Sequence, residues 1–344
     1  MPASPAIVIT DLSTPPITSP TYKLEVTAYP EAKDAISNGL LRLRTDHISG
    51  AKDLTTTAVF SLMSGADGDG GEQAESQERC IRMGVERMHA YLMERNEDAT
   101  RTHIAVALRQ FLYEKGSVQD QRRVVKILTL SSSATVVNAL ATVLETESKE
   151  SGDRGLNIQL KVMESRPVCE GVDLAKELVH RAGDVGATNR LHVEIASDSI
   201  VAILARDVDA VLLGADRISD NGNVSNKTGS LPAVLCAKML SDKVSVIILF
   251  DLDKISTPGA TDTYREEEND VRELECLWDQ HPGRTVKPAS WRTVLEAPNV
   301  YFEWVPAKYI DRYICETGIL DLNGIREQSE KARRVERQLF GCFP

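Results

Sequence analysis

The apolar run Val211–Leu213 stops at Gly214, and Asp216, a lone carboxylate, follows at once. The loop it opens, ADRISDNGNVSNKTGS, also carries the amide of Asn226 and the ammonium of Lys227. Four other apolar runs end in groups of comparable chemistry. TLSSSAT carries Ser131, Ser132 and Ser133; MESRPVCEG carries Glu164, Ser165 and Arg166; ASDS carries Asp198 and Ser199; FDLDKIS carries Asp251, Asp253 and Lys254. Hydroxyls, and backbone N–H groups at helix N-termini, hold phosphate oxygens. Arginine grips a phosphate through two parallel N–H groups, and a carboxylate moves protons. Such a set suits a polyhydroxylated, phosphorylated small molecule. Each group also has a plain structural use. Serine is a preferred helix cap, Asn226 and Lys227 can shape a turn before a helix starting near Ser230, Arg166 before Pro167 can form a rigid turn with a surface ion pair, and Asp216 can pair with Arg217. Convergence at one edge of a sheet favours the binding reading.

The elements that would bring these groups together are legible. RVVKILTL, NIQLKVM, RLHVEIA, DAVLLGA and VSVIILF are short, β-branched and mostly apolar, as expected of strands buried on both faces of a parallel sheet. Between them ATVVNALATVLETES, GVDLAKELVHRAG, SDSIVAILARD and SLPAVLCAKMLSDK have helical spacing. Strand and helix in alternation predict an open, doubly wound α/β sheet, with ligands bound outside the carboxyl ends of the strands. Residues from about Tyr29 to Tyr113 read as helical, and THIAVALRQFLYEKG closes at a glycine. Residues 1–27, rich in Pro, Ser and Thr, read as a flexible arm, 28–118 as a helical domain and 119–344 as the α/β domain with a C-terminal extension. Residues 65–77 are acidic and Gly-rich and read as a disordered surface loop. Residues 262–275 read as a solvated loop or peripheral helix. NVYFEWVPAKYIDRYICETGIL reads as a strand, a loop and a short helix.

The 344 residues are 42% hydrophobic, enough for a sizeable core. Net charge is −11, from 51 acids and 40 bases, which argues against bulk nucleic-acid binding. No apolar run approaches the ~20 residues of a membrane helix. The six cysteines are far apart, without metal-site or disulfide-framework spacing. A reduced, cytoplasmic setting is expected, with no metal or redox cofactor, no direct nucleic-acid partner and no membrane partner.

ILTLSSSAT, ESRPVCEG, SDSI and GADRISDNGNVSNKTGS, in this order, resemble a superfamily with two branches. One comprises sugar-1-phosphate aldose–ketose isomerases, acting on methylthioribose 1-phosphate or ribose 1,5-bisphosphate. The other comprises the α, β and δ regulatory subunits of eukaryotic initiation factor 2B. The resemblance spans roughly residues 28–320. It implies an N-terminal helical domain followed by a doubly wound, mostly parallel Rossmann-like domain, and a homodimer or larger assembly. In the isomerases a cysteine and an aspartate face the first two sugar carbons. The resemblance places that aspartate at Asp216, and Ser131 where the cysteine should be. It assigns phosphate or substrate contacts to Asn226, Lys227, Lys254, Arg166 and Arg101; the serine loop with Ser132 and Ser133 is an anion-site candidate from its place at the opening of a helix. An Arg-Gly-Ala turn of the isomerases matches Gly50 and Ala51 but has Ser49 in place of arginine, and Ala134 replaces a phosphate-binding lysine. A thiol titrates near ~8.5, far below an alkyl hydroxyl, so Ser131 needs an activator, and no histidine adjoins it in sequence. The expected function is an initiation-factor-2B-like protein with a sugar-phosphate or nucleotide pocket and no catalytic cysteine. The alternatives are an active isomerase using Asp216, and a regulatory subunit in guanine nucleotide exchange on initiation factor 2.

Overall fold

The computed structural model describes residues 7–11, 22–26, 97–119, 122–152, 155–260, 269–278 and 296–340. The region expected as a helical domain, up to residue 96, and the loop 65–77 lie outside the described residues. The short strands β1 (Ile7–Asp11) and β2 (Tyr22–Val26) pair antiparallel. They belong to one compact unit and Glu97–Arg333 to another.

The larger unit opens with α1 (Glu97–Lys115), closed by the Gly116 N–H on the Leu112 carbonyl. Then follow β3 (Ser117–Gln119), β4 (Arg122–Thr129), α2 (Ala134–Glu150), β5 (Leu156–Met163), α3 (Glu170–Asp184) and β6 (Leu191–Ala196). A 3-10 turn and the single helical turn α4 (Val201–Leu204) lead to β7 (Ala210–Leu213), β8 (Arg217–Ile218), β9 (Val224–Lys227), α5 (Ser230–Leu240) and β10 (Ser245–Leu249). The chain continues through α6 (Arg272–Trp278), β11 (Phe302–Val305), β12 (Arg312–Cys315), β13 (Gly318–Leu320) and α7 (Leu322–Phe340).

The main sheet runs β13-β12-β10-β7-β4-β5-β6, with β3 also paired to β4. The central pairs are all parallel; β13 and β3 join antiparallel. Side chains alternate across it as a strand's period of two requires. Leu212 and Ile247 face a core with α1, α2 and α3, while Val211, Leu213 and Ile248 face the core that holds α5. This is the doubly wound sheet expected. The helix ending at Lys115 packs on α2 within this unit, because its apolar stripe of Ile104, Leu108, Phe111 and Leu112 completes the first core. Among the described residues no helix is long and apolar enough to cross a membrane.

Three elements differ from the sequence reading. β6 is not buried on both faces; it is half exposed along its length because it is the sheet's edge. SDSIVAILARD makes only a 3-10 turn and one α turn. The C-terminal segment adds a sixth parallel strand, β12, and an antiparallel β13 where a loop and short helix were expected. β12 is four residues long, opens on Arg312 and directly follows Asp311, so its apolar part is too brief to announce a strand.

Candidate functional site

β4 and β7 lie side by side, Leu128 beside Val211, yet their following helices pack on opposite faces of the sheet. Such a reversal leaves a crevice at the carboxyl ends of the two strands. Ser131 leaves β4 there and Asp216 leaves β7. Ser131 and Ser165 both hold left-handed backbone, φ 66° and 62°, a region that non-glycine residues seldom adopt and that clusters at functional sites. Hydrogen bonds fix them. The Ser131 N–H donates to Ser165 Oγ (2.7 Å), and Asp198 accepts from the N–H groups of Ser165 (2.9 Å) and Arg166 (2.8 Å). Asp198 therefore acts as a brace between strand ends. Thr135, in the first turn of α2, donates to Asp251 beyond β10 (3.3 Å).

Gly214 allows the loop after β4 to rest on β7. A Cβ there would lie 2.5 Å from Ser133 Oγ and 2.7 Å from Ser133 Cβ. Ser133 in turn caps α2, accepting from the Val136 N–H (3.4 Å). Gly214→Ala is expected to push the serine loop off the strand, lowering stability by roughly 1–3 kcal/mol and weakening ligand binding disproportionately. Thermal unfolding and ligand titration on the same sample measure the two effects.

Asn226 and Lys227 do not sit in a turn. They end β9, the middle strand of a small antiparallel sheet with β8 and β11, which buries them to 3% and 2% exposure. Asn226 Nδ2 donates to Ser230 Oγ (2.8 Å). Lys227 Nζ lies 3.8 Å from the centroid of the Tyr301 ring and 3.0 Å from Glu170 Oε2. Despite that ion pair, the angles leave Nζ without a hydrogen-bond acceptor among the described residues. The same Glu170 oxygen is 3.5 Å from Ser131 Oγ. Tyr301 donates to Glu273 of α6, which also accepts from Asn299 Nδ2 (2.9 Å). Burial first, and then Glu273, push the Tyr301 phenol far above its ordinary range, so the ring under the ammonium stays neutral. Of the acidic stretch 262–275 the described part, from residue 269 on, leads into α6, whose Glu273 braces the aromatic floor.

The sequence model of the initiation factor 2 subunit family matches residues 55–322. The chain belongs to this family. Methylthioribose-1-phosphate isomerase of Geobacillus kaustophilus (strain HTA426) is 28% identical over 173 residues, 49% of this chain and 43% of that protein. Ribose 1,5-bisphosphate isomerase of Methanocaldococcus jannaschii is 27% identical over 199 residues, 58% of this chain and 55% of that protein. The chain spans about half the length of the curated relatives it matches. Among solved structures, the Pyrococcus horikoshii OT3 translation initiation factor eIF-2B has a TM-score of 0.59 at 18% identity, covering 83% of this chain and 96% of that one. The 5-methylthioribose 1-phosphate isomerase of the same organism has a TM-score of 0.57 at 17% identity, covering 92% and 90%. At these identities the likeness is one of fold.

Within this member of the initiation factor 2 subunit family, the expected site residues are distributed unevenly. Ser131, Ser132 and Ser133 follow β4, Asp216 follows β7 and is exposed, and Asn226 and Lys227 lie beneath. Lys254 is half-buried in the 3-10 turn after β10. Arg166 is exposed, its Nε donating to Glu164 (2.7 Å). Only the helical backbone of Arg101 is described, and Gly50 and Ala51 lie outside the described residues. Sequence reasoning missed Glu170 and Glu303. Glu303, on β11 opposite Asn226, accepts from the N–H groups of Gly229 (2.6 Å) and Leu231 (3.0 Å), so the start of α5 already holds an anion of the chain itself. Neither residue has a local signal. Each meets its partner only through the pairing of elements distant in sequence.

A cavity of about 690 Å³ lies elsewhere, between α1 and α2, lined by Thr102, Arg109, Tyr113, Arg123 and Glu150 among others. Its charges are already engaged. Arg109 pairs with Glu147 and Glu150, and Arg123 donates to the carbonyls of Tyr113 and Gly116. This hollow is distinct from the crevice at the strand ends.

Proposed function

We propose that this chain is an initiation-factor-2B-like protein whose crevice between β4 and β7 binds a phosphorylated metabolite, with a sugar phosphate as the best match. The observation that carries the reading is Lys227, an ammonium ion that is 2% exposed and finds no hydrogen-bond acceptor among the described residues. Glu170 offsets part of the charge, but hydrogen bonds left unaccepted in a buried place lower stability, and a phosphate oxygen would accept them. Two relatives named as isomerases of sugar phosphates support the ligand class. In this reading the phosphate lies against Lys227 and Asn226, with the Ser132–Ser133 loop, Arg166 and Lys254 around the remaining oxygens. Pairing of two copies, which the family resemblance implies, belongs to the same reading.

Asp216 favours a second reading, slow aldose–ketose isomerisation. Exposed at the tip of β7, it would move a proton between sugar oxygens or to the developing enediol, while Lys254 and backbone N–H groups stabilise charge. Ser131 weighs the other way, since its hydroxyl is a poor acid and base beside a thiol. The test is incubation with ribose 1,5-bisphosphate and methylthioribose 1-phosphate, followed by NMR for binding and for ketose. Binding without ketose supports the first reading. Ketose formation that Asp216→Asn abolishes supports the second. If neither sugar phosphate nor any nucleotide binds, and Lys227→Met changes nothing, both readings fall. A role in nucleotide exchange on initiation factor 2 is tested separately by capture of that factor.

A further inference from the structure

Two of the chain's own carboxylates stand where a phosphate would be held. Glu303 fills the N–H groups of Gly229 and Leu231 at the start of α5. Glu170 lies 3.0 Å from Lys227 Nζ. Glu303 is fixed by two backbone hydrogen bonds, 2.6 and 3.0 Å, on a strand whose register with β9 places it opposite Asn226. Glu170 is held less firmly. It is the first residue of α3 and its side chain is 21% exposed; among the described residues it makes that ion pair and a long 3.5 Å contact with Ser131 Oγ. A change of rotamer takes its carboxylate to water without breaking a ladder or uncovering the core.

We propose that Glu170 is the specificity-determining residue of this site: its carboxylate neutralises Lys227 in the empty protein, and an anionic ligand binds by displacing it. This rests on the reading that Lys227 is the phosphate contact, and it adds what governs access to that contact. Electrostatics supplies the reason. With Glu170 in place, an incoming phosphate meets an already paired ammonium and a like charge within reach. With Glu170 swung out, the phosphate oxygens inherit the N–H directions that the present angles leave unused. Ligand affinity is therefore set by the competition of two anions for one buried cation. Neutral polyols, which can donate to Glu170 without displacing it, are discriminated against less than phosphates. Ser131 is drawn into the same exchange, because release of Glu170 frees its hydroxyl to turn toward the ligand.

The experiment is calorimetric titration of the full chain with inorganic phosphate and with ribose 1,5-bisphosphate. It compares the wild type with Glu170→Gln, Glu170→Ala, Lys227→Met and the Glu170→Gln/Lys227→Met double variant, each checked for folding by thermal unfolding. The expected result is that Glu170→Gln and Glu170→Ala bind both anions on the order of tenfold tighter than wild type, and that the double variant loses this gain. Equal or weaker anion binding by both Glu170 variants, with Lys227→Met still weakening wild-type binding, overturns the role of Glu170 and leaves the phosphate reading standing. No anion binding by wild type or by either Glu170 variant overturns both.

Discussion

Lys227→Met is expected to leave the protein folded, with stability within about 1 kcal/mol of wild type, and to weaken sugar-phosphate binding on the order of a hundredfold or more. The two halves of this expectation have one cause. The ammonium is buried against the Tyr301 ring at 3.8 Å and has one carboxylate 3.0 Å away, yet it lacks a hydrogen-bond acceptor among the described residues. The ion pair and the cation–π contact offset its desolvation only in part. Methionine fills similar space against the same ring, and Glu170, partly exposed, passes to water. Among the described residues no other ion pair involves this ammonium. A bound phosphate would depend on it, because a buried cation in a site screened from water acts at a lower dielectric than a surface lysine. Titration calorimetry together with denaturant unfolding separates the two. A large loss of stability with unchanged binding would assign Lys227 to the core.

Glu147→Ala is expected to do the reverse, lowering stability by roughly 3–5 kcal/mol and leaving the affinity of properly folded protein unchanged. Glu147 has no exposed surface, but its oxygens are fully employed. Arg109 Nε donates at 2.6 Å, the Tyr113 hydroxyl at 2.8 Å and the Leu156 N–H at 2.7 Å. One carboxylate thereby ties α1 to α2 and to the start of β5. Burial by itself raises its pKa, but the Leu156 N–H, Arg109, Tyr113 and Ser151 together outweigh that and hold it below the usual carboxylate range. Since the folded value is the lower one, the stabilisation is fully present above the unfolded value of about 4.3. It is lost as pH falls through the folded value. The stability gap between wild type and Glu147→Gln should narrow below about pH 4, as urea unfolding across pH 3–7 would show. A gap that stays constant with pH would assign the effect to packing.

The contrast between these two buried charges separates architecture from function. A buried charge whose bonding capacity is met is a clamp; one whose capacity is unmet can be completed by a ligand's acceptor. Neither class can be told from the letters. Glu147 lies in the helical run TVLETES and looks like any surface glutamate of an amphipathic helix, while Lys227 lies in a polar stretch that looks like a turn. The strand of four residues that buries Lys227 forms because β11, more than seventy residues later, pairs with it.

By itself the sequence determined the layers of this protein and the chemistry available at one edge of them. Short β-branched runs alternating with helical ones have few ways to bury their apolar faces, and the doubly wound sheet is among them; the polar residues after each run then fall at the carboxyl edge whatever the strand order. Ser131, Asp216 and the Asn226–Lys227 pair were legible as an ensemble for that reason. Only the tertiary structure decided which of them lie together. Placing β7 beside β4 set the crevice between Ser131 and Asp216, the pairing of β9 with β11 buried Lys227 over Tyr301, and the start of α3 brought Glu170 between Lys227 and Ser131. These are contacts between segments far apart in the chain. They are fixed by how the sheet closes its two cores, which local spacing does not encode.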